Sequence, residues 1–407
     1  MFDSTQRSRF DVADLEREAN TLLTQYAALL QRLKLPDAAA ALPLVGQARA
    51  SVSDAQTLQA LTVAFRLLDM AEARAVAQAR AQARAHGAEE SGLWASVLRE
   101  LRLGKLPDAA IQAALGRVRV EAVFTAHPTE ARRVSALQRW AELMQSLGEA
   151  TSEAGPSSAF LPQLELILRM GETRLRKPRL DDERALVIHT VTTVLAPALM
   201  RVYRDASVQL EGALALAPAD VPTPQFATWV GGDRDGHPFV TADFTQRSLQ
   251  AYREAALTLQ LQALGRLTQL LAIPAQLASL PAPFRARFAE LCAALGPEAK
   301  SLQTRNPDEP LRVYVELLRA HLQQQVSDQN AATDRLVDTC LADLALLSAA
   351  LRALGASALA AHYVEATRAL WRAFGLHLLR VDLRQNSQVH DAAIEALLRR
   401  RGAADCD

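Results

Sequence analysis

The stretch VFTAHPTEARR, residues 123–133, runs from a strand-like into a helix-like pattern across one histidine, one proline and two arginines. A residue before proline is pushed away from helical dihedrals, so His127 is expected in extended backbone. Pro128 and Thr129 suit a helix start, with Thr129 as N-cap. Free backbone N–H groups at such a start attract anions. The same local field favours a neutral imidazole able to exchange a proton. Arg132 and Arg133 add positive charge in the first turn, where the helix dipole disfavours it, so an anion or acidic side chains are expected beside them. A capped strand–helix turn with a merely hydrogen-bonded histidine fits the same residues.

Two further stretches carry chemistry-bearing side chains. In WVGGDRDGHPFVT (229–241), Gly231 and Gly232 let backbone approach a ligand closely or turn sharply. Asp233, Arg234 and Asp235 alternate in sign, which also suits a salt-bridged turn. Trp229 can wall a pocket or fill a core. The glycine spacing matches neither a calcium loop nor a nucleotide-binding fingerprint. In LRVDLRQNSQVH (379–390), a period of two puts Leu379, Val381 and Leu383 on one face and Arg380, Asp382 and Arg384 on the other. Buried charge of that kind needs partners, whereas a strand end facing a ligand tolerates it. Ser387 is the expected N-cap of the next helix. Histidine, a glycine turn and several arginines together suit a small polyanion bearing phosphate and carboxylate groups.

What must position these groups? RVRVEAVFTAH, QFATWVGG and LHLLRVDLRQ are β-rich, and a helical pattern follows each. They lie too far apart for hairpins. Strand, loop, helix, repeated, is the pattern of a parallel β/α barrel with helical insertions, in which chemistry sits at the C-terminal strand ends. Helical periodicity dominates elsewhere, at about 55–85, 130–147, 246–272 and 358–373. In the next such segment Leu336, Cys340, Leu344, Leu347, Leu351 and Leu354 form one stripe, stopped by Gly355. Turn-rich breaks are expected at 148–158, 217–224 and 295–310. The expected organisation is an N-terminal helical region over 1–115 and a strand-bearing region over 116–407, without an independent second domain.

Composition excludes several classes. Half of the 407 residues are hydrophobic, and Lys plus Arg equals Asp plus Glu at 45 each, so no global field draws nucleic acid or anionic lipid. The alanine-rich, arginine-bearing segment 73–87 reads as a solvated helix. No uncharged apolar run is expected to reach the ~18 residues of a membrane span, and no signal-peptide pattern opens the chain. Cys292, Cys340 and Cys406 lack metal-type spacing, and Cys340 falls on an apolar stripe. The expectation is a soluble, reduced, cytoplasmic protein.

At these motifs the chain resembles the N-terminal half of phosphoenolpyruvate carboxylase. VFTAHPTEARR is similar to the family's histidine signature, with Val134 where a basic or small residue is usual. WVGGDRDGHPFVT resembles the family's glycine-acid loop, with His237 in place of asparagine. VDLRQNSQVH matches its strand, with Asn386 in place of glutamate. Weaker echoes are RLRKPRLDDE (174–183) and EPLR (309–312).

The resemblance implies a predominantly α-helical α/β fold: the first half of an elaborated, TIM-like β/α barrel with long helical insertions. It implies conversion of phosphoenolpyruvate and bicarbonate to oxaloacetate and phosphate, through carboxyphosphate and the enolate of pyruvate, in a homotetramer. Carried over by motif, His127 and Arg384 would be catalytic; Arg132, Arg133, Trp229 and Arg234 would bind substrate. Gly231, Gly232, Asp233 and Asp235 would shape the loop. The family also implies Mg²⁺ or Mn²⁺, with ligands in a C-terminal half that this chain does not contain. The chain alone is therefore expected to be inactive, with that half as its partner. The competing reading is a non-catalytic helical scaffold or regulatory module, against which the intact histidine and arginine motifs argue.

Overall fold

The computed structural model describes residues 12–43, 54–85, 94–125, 133–149, 159–170, 178–204, 221–235, 237–327 and 333–401. Contacts divide the chain into two compact units, Met1–Glu100 with Pro128–Pro178 and Leu101–His127 with Arg179–Asp407. The expected boundary at 115 and 116 falls inside the second.

The first unit is helical. Val12–Arg32, Ala55–Ala85, Val134–Glu149 and Phe160–Met170 each bury one apolar stripe, so Tyr26, Leu30, Leu67, Leu143, Phe160 and Leu164 share a core. The buried face of Val134–Glu149 centres on Trp140 and Leu143. Ala136, Trp140, Leu143 and Leu147 are buried, whereas Val134, Leu137 and Met144 are only half-buried. Arg74, expected in solvent, instead pairs with Glu18 at 3.1 Å, both side chains largely covered.

The second unit carries a three-stranded sheet in the order β1 (Glu121–Phe124), β2 (Gln225–Thr228) and β3 (Arg380–Val381). Both pairings are parallel, Glu121 opposite Gln225 through Phe124 opposite Thr228, then Ala227 opposite Arg380 and Thr228 opposite Val381. The expected parallel α/β arrangement is therefore present, within a predominantly helical chain. Among the described residues the sheet has three short strands and the expected barrel is not shown. Behind β2, Phe226 stacks on Phe374 with ring centroids 5.2 Å apart, in a core with Val191, Tyr252 and Leu378.

A larger helical core lies in the same unit. Leu344, Leu347 and Leu351 of Thr333–Ala353 pack with Phe284, Tyr314 and Trp371, and the stripe ends at Gly355 in a left-handed turn, φ +75°. Cys340 packs against this core, and burial pushes its thiol up to about 12. The break expected over 295–310 is narrower than its composition suggested. Gly296, with φ +55°, ends one helix, and Pro297 opens another that runs to Arg305.

Two further features lie outside the motifs. Leu180–Arg204 is long and apolar enough to cross a membrane by length and composition. It also buries Val187, Val191, Ala196 and Leu199 in the sheet's core, as an ordinary packing helix does. The hexapeptide KLPDAA occurs twice, at 34–39 and 105–110, a repetition the motif reading passed over. In both copies the lysine is left-handed (Lys34 φ +61°, Lys105 φ +57°) and a new helix follows at once.

Candidate functional site

The second unit gathers its polar groups where β2 and β3 end. Beyond Thr228 the chain turns tightly, with Gly232 and Asp233 N–H donating to the Trp229 carbonyl at 2.9 and 3.0 Å. Thr228 braces the turn, its hydroxyl donating to the Phe124 carbonyl and accepting from Val230 N–H, both at 3.1 Å.

Arg384 N–H donates to the Gly232 carbonyl and Arg234 N–H to the Arg384 carbonyl, both at 2.9 Å. The loop after β2 is thus zipped backbone to backbone onto the continuation of β3. Gly232 permits this closeness, since a Cβ there would lie 2.2 Å from the Asp382 carbonyl oxygen. Gly231 has φ +94° and lies against buried Ser248, whose Cβ a side chain would meet at 2.7 Å. Chain segments some 150 residues apart are therefore held in fixed register.

That register decides where side chains fall. The Arg384 guanidinium lies over the Trp229 ring, 3.8 Å from its centroid, and its Nη1 is 3.6 Å from Asp233 Oδ1. Asp233 is almost wholly buried at 6% side-chain exposure, whereas Arg384 keeps 38%. A guanidinium held on one face and at one edge retains N–H groups for an oxyanion. It stands at the C-terminal strand ends, where parallel α/β proteins bind ligands.

The structure thus brings together Trp229, Gly231, Gly232, Asp233 and Arg384. Arg234 shares the loop but reaches to the Thr245 hydroxyl at 3.4 Å, and Asp235 is exposed. His127 and Arg132 lie outside the described residues, as does Thr129, the expected N-cap. Arg133 belongs to the first unit, where it precedes the helix instead of entering its first turn. Its carbonyl accepts from Ala136 and Leu137 N–H at 3.0 and 3.1 Å.

The charges of this strand find their partners on other segments. Arg380 pairs with Glu121 at 3.4 Å and with the Gln225 amide, Arg384 pairs with Asp233, and Asp382 is exposed. The alternation also fades, since Leu379 is buried but Leu383 is 59% exposed. The N-cap of Ser387–Arg400 is Asn386, not Ser387, with its side chain accepting from Gln388 N–H at 3.0 Å.

Motif reading missed the layer behind the loop. Tyr252 donates to the Val230 carbonyl at 3.0 Å, and burial holds its phenol above the ordinary range and hence protonated. Arg184 reaches the Ser248 hydroxyl at 3.3 Å while paired with Asp181 at 2.6 Å. No local signal marks these residues, because each acts through a neighbour distant in sequence. Among the described residues no group of three His, Cys, Asp or Glu side chains could hold a metal ion. They therefore offer no fit for a divalent cation.

Comparison with known proteins bears on what this site belongs to. A family profile described as phosphoenolpyruvate carboxylase matches residues 30–406. A phosphoenolpyruvate carboxylase of Methylorubrum extorquens is 29% identical over 366 residues, 85% of this chain and 39% of the relative. Relatives of the same name from Nocardia farcinica and Xanthomonas euvesicatoria pv. vesicatoria are 30% and 32% identical. Those matches cover 98% and 72% of this chain, but only 43% and 33% of the relatives. The chain spans about two fifths of the length of the curated relatives it matches.

Proposed function

Because this chain belongs to the phosphoenolpyruvate carboxylase family, we propose that its strand ends form part of a site converting phosphoenolpyruvate and bicarbonate to oxaloacetate and phosphate. The observation that carries this reading is the Arg384 guanidinium, braced by Trp229 and Asp233 at the C-terminal end of a parallel sheet. Bicarbonate oxygen takes the phosphoryl group, giving carboxyphosphate and the enolate of pyruvate. Carboxyphosphate then releases carbon dioxide, which the enolate carbon attacks.

In this reading Arg384 holds phosphoryl or carboxyphosphate oxygens, in an orientation set before substrate arrives. Trp229 supplies an apolar wall beside the enolate, which needs protection from water. His127 assists carboxyphosphate breakdown by proton transfer. Arg132, Arg133 and Arg234 add cations around the anion, and Asp233 and Asp235 hold the loop in shape.

The remaining parts of the reading concern the whole protein. Residues 116–407 contribute the first strands of a β/α barrel, and residues 1–115 form a helical region. The family's Mg²⁺ or Mn²⁺ would neutralise phosphoryl charge, and its ligands belong to the polypeptide beyond the matched part. The assembled enzyme is a cytoplasmic homotetramer.

The test is oxaloacetate formation by this chain joined to the C-terminal remainder of a relative, with Mg²⁺ supplied. Turnover that falls when Arg384 becomes Ala is the expected result. A completed protein that binds neither substrate nor makes product would favour the scaffold reading.

A further inference from the structure

Away from the strand ends, three helices of the second unit border a cavity of about 230 Å³. Ala282–Leu295, Pro310–Ser327 and Thr333–Ala353 supply its walls, and no residue of the strand-end loop does. Helix packing at native density leaves no such space by default. It is smaller than the roughly 300–1,000 Å³ of pockets for drug-sized ligands, but larger than the ~150 Å³ cavity that admits benzene. A single ring with one substituent is the size it takes.

Its walls are of two kinds. Leu318 and Leu322 are buried and Leu336 and Cys340 half-buried, which gives an apolar side. The thiol offers no nucleophile there, because burial keeps it protonated. Arg287, His321 and Asp343 supply the polar side.

The charges on that side decide the charge of a ligand. Arg287 and Asp343 neutralise each other through bonds at 2.7 and 3.1 Å, and Glu290 takes Nη1 of the arginine at 3.0 Å. Burial, with Arg287 adding to it and Asp343 opposing, favours the neutral ring of His321. A carboxylate entering the cavity would stand beside buried Asp343, and an ammonium beside Arg287. Either costs more than an uncharged molecule.

Hydrogen-bonding capacity decides the ligand's polar group. A guanidinium carries five N–H groups. Nε, Nη1 and Nη2 of Arg287 each give one to a carboxylate, so two N–H groups remain. Nδ1 of His321 is sealed off and meets no partner among the described residues. Hydrogen bonding by this ring therefore falls to Nε2, where a proton can be donated instead of left orphaned on Nδ1. The Asp343 carboxylate is already taken by Arg287 and the Tyr314 hydroxyl. Spare donors thus call for one acceptor oxygen.

We propose that this cavity binds a small uncharged molecule, with an apolar body of one ring and a carbonyl oxygen accepting from Arg287 and His321 Nε2. No residue of the carboxylase reading takes part in it.

Benzamide is the probe, with benzoate as its charged counterpart of the same shape and toluene as the ring without an acceptor. Calorimetric titration of the 407-residue chain should give a benzamide dissociation constant of about 1 mM or below, within reach of so few atoms. Benzoate and toluene should each bind at least about tenfold more weakly. Leu336→Trp, which fills the apolar side, should abolish binding. His321→Phe should weaken benzamide by about tenfold and leave toluene unchanged. With isotope-labelled histidine, the ring signal lost in His321→Phe is the one that benzamide should shift. Absence of saturable benzamide binding overturns the proposal. So does benzoate binding as tightly as benzamide, or benzamide binding that persists in a folded Leu336→Trp protein. Should that variant fail to fold, the His321 signal decides, and a signal unmoved by saturating benzamide overturns the site.

Discussion

Arg384 and Asp233 are joined twice, by a backbone bridge that sets two distant segments in parallel and by a side-chain ion pair at 3.6 Å. The bridge places the arginine over Trp229, and the carboxylate fixes one edge of its guanidinium. Removing Arg384 therefore removes an oriented cation without disturbing a core. In the completed protein Arg384→Ala should lower turnover by about a hundredfold or more, the usual scale for a preorganised charge-stabilising donor. In the 407-residue chain the same change should alter Trp229 fluorescence and lower the melting temperature, since the buried Asp233 loses a counter-charge. Unchanged emission would mean that the stack does not form in solution.

Gly232 should tolerate no side chain. A methyl group there would meet the Asp382 carbonyl oxygen, which belongs to the backbone and cannot swing aside. Gly232→Ala is expected to destabilise the chain by about 1–3 kcal/mol as the two segments separate. A urea midpoint equal to that of the parent would contradict the close approach.

Arg287 and Asp343 form a bidentate pair at 2.7 and 3.1 Å, and the Asp343 side chain is only 4% exposed. Asp343→Ala leaves a largely covered guanidinium with only the exposed Glu290, at 3.0 Å, as counter-charge, so a loss of up to about 3 kcal/mol is expected. Replacing both partners, Arg287→Met with Asp343→Leu, should cost less than the single change. Chemical denaturation of the three proteins decides this, and additive losses would count against a direct pair.

His321 should make stability depend on pH. Burial lowers its pKa, the charge of Arg287 adds to that effect, and Asp343 opposes both. The folded state thus favours the neutral ring, and in the window below the unfolded value the unfolded chain binds more protons. The contribution is present above about pH 6.5 and is lost as pH falls through that value towards the lower folded one. The melting temperature should therefore fall across this window, less steeply in His321→Gln. Equal slopes in the two proteins would sink the assignment.

Cys340 should resist alkylation. With its thiol pushed up to about 12, mainly by burial, almost no thiolate exists at neutral pH. Iodoacetamide should label it slowly in the native chain and quickly in urea, as peptide mass spectrometry can read. Rapid native labelling would mean that the helix Thr333–Ala353 opens readily.

The sequence alone determined the elements and the family. Leu344, Leu347 and Leu351 repeat at helical spacing, and that repeat suffices to bury them. The glycine-acid loop and the strand bearing Arg384 are unbroken motifs, readable without knowing what they touch. Parallel pairing was legible, because segments so far apart are not joined by hairpins and helical patterns follow each one; their order across the sheet was not.

Tertiary structure decided the partners. Asp382 stands two residues from Arg384, where alternation alone would put both on one face, yet its side chain is exposed and Arg384 pairs with Asp233 instead. Asp233 wins because the chain turns at Gly231 and Gly232 and brings its backbone beside Arg384. Ser387 lost the capping position to Asn386, one residue away, since several short polar side chains satisfy the same helix end. Arg184 and Tyr252 act through Ser248 and Val230, neighbours across the fold that no local pattern reveals. Periodicity and motif are written along the chain, whereas the partner of a charge depends on which distant backbone lies beside it.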